Sequence, residues 1–154
     1  MLEIQEYSDE RQKIMDFIKL VDRDFYPPIS KRKKIDDYVE DNLAEPHYLL
    51  LAYDKEQIVG SVCVGLDKPK RGEGYIDWVA IIPQYRKQGL ATRLIDSVEV
   101  YLTKNNFDKV KVRTWSTNIA SVALYNKLGF RVDYLVKDDR GEGIDSIYFA
   151  KDLL

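Results

Sequence analysis

Two residue types that carry much enzyme chemistry are nearly missing from this chain of 154 residues, which holds one cysteine, Cys63, and one histidine, His47. A lone cysteine excludes an intrachain disulfide framework and fits a reducing compartment. No His/Cys/Asp/Glu spacing suggests a metal centre, so no metal is expected. Charge of one sign is also missing: 24 Lys and Arg face 26 Asp and Glu, for a net charge of −2. That balance gives no reason to expect nucleic acid as a partner. No apolar run is long enough to cross a bilayer, and Met1-Leu2-Glu3-Ile4-Gln5 lacks the basic-then-apolar order of a secretory signal. The expectation is a cytoplasmic protein with no membrane partner. There is no internal repeat and no linker, so residues 1–154 read as one domain.

What is present is alternation and helical spacing. Leu2–Tyr7 reads as a short strand. Ser8 can cap a helix carrying Ile14, Phe17, Ile18, Val21 and Phe25, which Pro27-Pro28 ends. Ser30 can cap a second helix with Ile35, Val39 and Leu43, stopped by Pro46. That placement puts Lys31-Arg32-Lys33-Lys34 in a first helical turn, electrostatically the wrong end. The plain reading of the run is a solvated face; the other is a rim attracting an anionic acceptor or phosphates. Tyr48–Tyr53 and Ile58–Leu66 form a hairpin about Asp54–Gln57. A polar loop at Lys68–Gly72 leads into an apolar strand ending at Ile82. Leu90, Leu94, Ile95, Val98, Tyr101 and Leu102 lie on one helical face. Lys109–Trp115 is a strand, Asn118 caps a helix closed by Gly129, and Arg131–Val136 and Ile144–Lys151 are the last two strands. The order is β-α-α-β-β-β-α-β-α-β-β. The unit from Tyr75 to Trp115 must be parallel, because a helix crosses between its strands, and the hairpins make the sheet mixed.

Between Tyr75 and Tyr101 a strand runs into Arg86-Lys87-Gln88-Gly89-Leu90-Ala91 and then a helix. Small residues at Gly89 and Ala91 let phosphates approach the helix's first N–H groups, which have no partner of their own. Arg86 can add a bidentate contact. This turn resembles the acyl-CoA pyrophosphate signature of the GNAT family, the Gcn5-related N-acetyltransferases. The run Asn118 to Gly129-Phe130, with Ser121 and Tyr125 inside it, is similar to that family's second signature. The two together cover about residues 75–130.

The resemblance implies the GNAT α/β fold with a mixed sheet, and acetyl-CoA as co-substrate with no metal. It implies transfer of the acetyl group to a primary amine of a small molecule in a ternary complex. A protein N-terminal or lysine amine is the alternative acceptor. Non-catalytic acyl-CoA binding is another reading, and an interaction module with an incidental turn is a third. Cofactor contacts are expected from Arg86, Lys87, Gln88, Gly89, Leu90, Ala91 and Thr92, and from Asn118, Ser121 and Tyr125. A strand bulge placing donors for the thioester oxygen is expected at Val79, Ala80 and Ile81. Tyr125 is expected to protonate the departing sulfur. The strand position where histone-type members carry a glutamate is Tyr75 here, so the base is assigned first to Asp77 and second to Glu73. Asp77, Tyr75 and Glu73 share a strand face if side chains alternate. Phe25, Tyr26 and Tyr75 are expected at the acceptor. A homodimer is left open. His47 reads as an edge residue and Cys63 as core filler.

Overall fold

Seven strands make one sheet in the computed structural model, which describes residues 2–68 and 70–153. They are β1 (Leu2–Glu6), β2 (His47–Asp54), β3 (Gln57–Leu66), β4 (Glu73–Ile81), β5 (Lys109–Trp115), β6 (Arg131–Val136) and β7 (Ser146–Asp152). Four helices accompany them: α1 (Arg11–Val21), α2 (Ile35–Ala44), α3 (Leu90–Lys104) and α4 (Ile119–Lys127). Element order matches the expected one, and the sheet is mixed. Spatial order is β1-β2-β3-β4-β5-β7-β6, with every neighbour antiparallel except β4 and β5. Among the described residues no helix is long and apolar enough to cross a membrane.

The core follows from the apolar spacing. β3 is buried on both faces from Ile58 to Gly65, under α1 and α3. Trp78 is buried and its indole N–H donates to Ser61 Oγ at 3.1 Å. Ser61 Oγ in turn donates to the Leu50 carbonyl at 2.9 Å, so each of these buried polar groups has a partner. Cys63 is fully buried in β3, as expected, and burial pushes its thiol up.

Local expectations needed correction at the first two helices. α1 starts at Arg11, and Glu10, not Ser8, is its N-cap residue. The Glu10 carboxylate accepts the backbone N–H groups of Ser8 and Asp9 at 2.9 and 2.8 Å, organising the turn from the other side. Those donors hold the carboxyl down at about 2. Phe25 lies outside α1, because the chain tightens into a 3₁₀ turn at Asp22–Asp24. Ser30 does not cap α2: it sits in a 3₁₀ turn at Ile29–Lys31, with its hydroxyl donating to Asp22 at 2.6 Å. α2 starts only at Ile35 and carries Asp36 and Asp37 in its first turn. The Lys31–Lys34 run therefore precedes the helix, and the residues at the positive end of the dipole are acidic.

The pairing of β4 positions the site. β4 pairs β5 only from Glu73↔Lys109 to Ile76↔Val112. Just there β4 carries an extra residue against β3, since Val64 faces Ile76 while Cys63 faces Trp78. The bulged residue is Asp77, two positions before the expected bulge at Val79–Ile81. Beyond it β4 and β5 part, leaving the β4 edge without a strand partner.

Candidate active site

The parting of β4 and β5 opens a cleft of about 1490 Å³, lined by both strands, by the turn into α3, by α4 and by the α1–α2 connection. Backbone groups over Asp77–Ile81 that no longer pair with β5 face this space. Val79, Ala80 and Ile81 all line it, as do Arg86, Lys87, Gly89, Leu90, Ala91 and Thr92.

At the turn, Gly89 is the N-cap residue of α3 with φ of 80° and no side chain caps the helix. A Cβ there would meet nothing within 4 Å, so the space before the first helical N–H groups is open. Open space before N–H groups that a helix leaves unpaired is the arrangement that suits an anion. Arg86 is less free than expected. Its Nε donates to the Ile81 carbonyl at 2.9 Å and its guanidinium meets Asp24 at 2.5 Å. It ties the turn to the end of β4 and to the segment after α1, so a phosphate there shares or displaces Asp24. The Gln88 side chain turns back onto the Gln84 carbonyl at 3.3 Å, and Gln88 is outside the lining.

On the α4 side, Asn118 caps its helix as expected, accepting the Ser121 N–H at 3.3 Å and donating to Thr114 Oγ1 at 3.2 Å. Both residues line the cleft, with the Asn118 side chain spent on the helix start. Tyr125 lines it too, although it is 2% exposed. Its ring packs against Phe130 and Phe149, each 5.5 Å between centroids. Its hydroxyl has no hydrogen-bond partner among the described residues, and burial raises its pKa, so it stays a protonated donor.

The two candidate bases separate. Asp77 lines the cleft with its side chain 11% exposed, and accepts from Lys68 Nζ at 3.1 Å. Burial raises its pKa, while Lys68 and Arg113 pull it part of the way back. Glu73 is outside the lining; its buried carboxylate sits 3.1 Å from Lys111 Nζ, beside the short β4–β5 ladder. Tyr75 and Phe25 line the cleft, but Tyr26 does not. Tyr26 instead covers the rim, with its ring 6.4 Å from Trp115 and its carbonyl accepting from Arg140. His47 stands away from the cleft, with Nδ1 2.9 Å from the Glu45 carbonyl and its ring edge-on to Tyr7 at 6.5 Å.

Sequence reasoning did not single out Trp115, Tyr38, Arg113 or Arg140, which also line the cleft. Arg113 and Trp115 alternate with buried Val112 and Thr114 on β5, so strand parity beside Tyr75 and Asp77 was the available signal. Arg140, in a loop, carried none.

The model of the acetyltransferase (GNAT) family matches residues 14–130. The chain belongs to this family. It is 30% identical over 135 residues to N-alpha-acetyltransferase 30 of Schizosaccharomyces pombe, covering 84% of each. It is 29% identical over 146 residues to the Xenopus laevis protein of the same name, covering 92% of the chain and 50% of that protein. The chain thus spans half the length of the frog relative. In structure it resembles NAA60 of Arabidopsis thaliana, solved with a bisubstrate analogue, at TM-score 0.80 and 17% identity over 99% of this chain and 98% of that one.

Proposed function

We propose that this chain transfers the acetyl group of acetyl-CoA to a primary amine, by direct transfer in a ternary complex. One observation carries the reading: a single cleft holds an open helix N-terminus, an unpaired strand edge and a desolvated carboxylate, Asp77. Acetyl-CoA, when bound, supplies an acetyl thioester. The N–H groups of Leu90, Ala91 and Thr92 hold anionic phosphate oxygens, helped by Arg86 where Asp24 yields. Free backbone donors on β4 face the position where negative charge develops on a thioester oxygen. Asp77, deprotonated, takes the proton that the amine must lose, directly or through a water. Tyr125 gives its hydroxyl proton to the leaving sulfur. A thiol has a pKa near 8.5, below that of a phenol, and burial raises Tyr125 further, so the transfer is uphill at rest. It proceeds as charge builds on sulfur, and the phenolate then regains a proton from water.

For the acceptor, a protein N-terminal amine has the support of relatives at 29% and 30% identity that carry the name N-alpha-acetyltransferase. A small-molecule amine is the other reading. Incubation with acetyl-CoA and a panel of peptides, amino acids, polyamines and aminoglycosides, read as CoA-thiol release and as acetylated product by mass, tests both. Turnover is expected with at least one class. Binding of acetyl-CoA without turnover of any amine would make this an acyl-CoA-binding domain instead.

A further inference from the structure

Three arginines from three separate parts of the chain converge on the cleft: Arg32 from the α1–α2 connection, Arg113 from β5 and Arg140 from the β6–β7 connection. None has a salt-bridge partner among the described residues, whereas Lys33, Lys68 and Arg86, which also line the cleft, each have one. Lys87 and Lys127 are unpaired among those residues too, but they stand at the turn into α3 and at the end of α4, away from Asp77's strand. Their charges oppose one another, and Arg140 is held below the usual guanidinium range by burial and by Arg113 and Arg32. Asp139 lies near enough to offset Arg113 and Arg140 in part, but it accepts from Ser146 Oγ at 2.6 Å.

The cluster is positioned and yet unspent. Arg140 lies over the Trp115 ring at 5.1 Å and Arg113 over the Tyr148 ring at 5.9 Å. Aromatic faces orient a planar guanidinium without using its N–H donors. Arg113 gives one long bond, to the Tyr148 hydroxyl at 3.4 Å; Arg140 donates to Ser146 and to the Tyr26 carbonyl. Arg32 donates none from its side chain among the described residues. Like charges gathered in a cleft and only partly offset, here by Asp139 and Asp77, are costly to the free protein and favourable to an anionic ligand. The phosphate opening at Gly89 has its own donors, while Arg113 follows Val112, whose partner Ile76 directly precedes Asp77. The surplus therefore lies on the acceptor's side.

We propose that the acceptor carries a carboxylate close to its amine, with the amine at Asp77 and the carboxylate held by Arg32, Arg113 and Arg140. This rests on the transferase reading above. The chemistry is that of an amino acid, or of a peptide whose first residue is Asp or Glu. Matched pairs test it: phenylalanine against phenethylamine, and peptides beginning with Asp or Glu against the same peptides beginning with Asn or Gln. The acidic member is expected to have kcat/KM higher by on the order of ten- to a hundredfold, the range of one or two charge-assisted bonds. Which pair shows the difference tells free amino acid from peptide. Arg32→Gln, the mildest change, and Arg113→Gln and Arg140→Gln should each shrink that ratio while leaving KM for acetyl-CoA in place. Equal turnover within every pair would overturn the acceptor class and leave the transferase reading intact. A rise in KM for acetyl-CoA alone would assign the arginines to the donor and overturn it as well. No turnover of any amine, with acetyl-CoA still raising the melting temperature, would end both readings.

Discussion

A carboxylate that loses water must find a cation or take up a proton, and Asp77 does part of each. Burial outweighs Lys68 and Arg113, so its pKa lies above the ordinary carboxylate value. A base works only when deprotonated, so kcat/KM should fall on the acid side at a higher pH than an ordinary Asp, near 3.9, would give. Asp77→Asn should flatten that limb and lower the rate by ~10²–10⁴-fold. It should not cost stability at neutral pH. A raised folded-state pKa means the charged form is the penalised one above that pKa, and Asn removes the charge. An unchanged pH profile in the variant would assign the limb to the acceptor's own amine. Tyr125→Phe deletes one hydroxyl that has no partner among the described residues, so folding and KM for acetyl-CoA should hold while kcat falls. Equal loss in KM and kcat would make Tyr125 a packing residue. That both line the cleft was legible from their offsets to the glycine motifs. Of the three arginines, Arg32 was legible only as part of a cationic run and Arg113 only by strand parity, while Arg140, in a loop, carried no sign of its neighbours in space.

At the scale of elements, the helices that could be read were those with a glycine at one end. Gly89 before α3 and Gly129 after α4 both adopt positive φ, which bounds a helix sharply. The starts of α1 and α2 were misread because each serine hydroxyl donates to a carboxylate, Ser8 to Glu10 and Ser30 to Asp22, instead of accepting from a helix N–H. The bulge was misplaced for a similar reason: its position depends on pairing with β3, which no local pattern encodes. α3 is the element with a ligand consequence. Gly89→Val would keep the helix but force a β-branched residue to φ near 80°, costing ~1–2 kcal/mol, and would fill the open space before Leu90. For the wild-type protein, acetyl-CoA at a hundredfold excess over Kd should add about 2.7 kcal/mol of stability. In Gly89→Val that thermal shift should vanish, and Gly89→Ala should lie between. A full shift in the valine variant would place the phosphates elsewhere.

The whole molecule is two half-sheets, β1–β4 and β5–β7–β6, joined along a ladder of four residue pairs. Element order foretold the parallel crossover but not that β7 would insert between β5 and β6, since the order of elements along the chain does not say which of the last two strands pairs with β5. The short join makes the cleft, and it also rests the pairing of the two halves on four residue pairs. Glu73 and Lys111 pair their charges across it, 3.1 Å apart, with the Glu73 side chain 7% exposed and that of Lys111 26%. Such a pair contributes less by attraction than by the penalty that follows when one partner is removed. Lys111→Met leaves a buried carboxylate without its cation at the seam. We expect a loss of ~2–3 kcal/mol, below the ~3–5 kcal/mol of fully buried pairs because Lys111 is partly wet. Glu73→Gln removes the buried charge itself and should cost less. Urea midpoints measure both, and kcat/KM on the surviving folded protein separates this role from catalysis. Because Glu73 lies outside the cleft lining, both variants should keep the wild-type pH profile. A Glu73→Gln enzyme with intact stability but a lost acid limb would move the base from Asp77 to the seam.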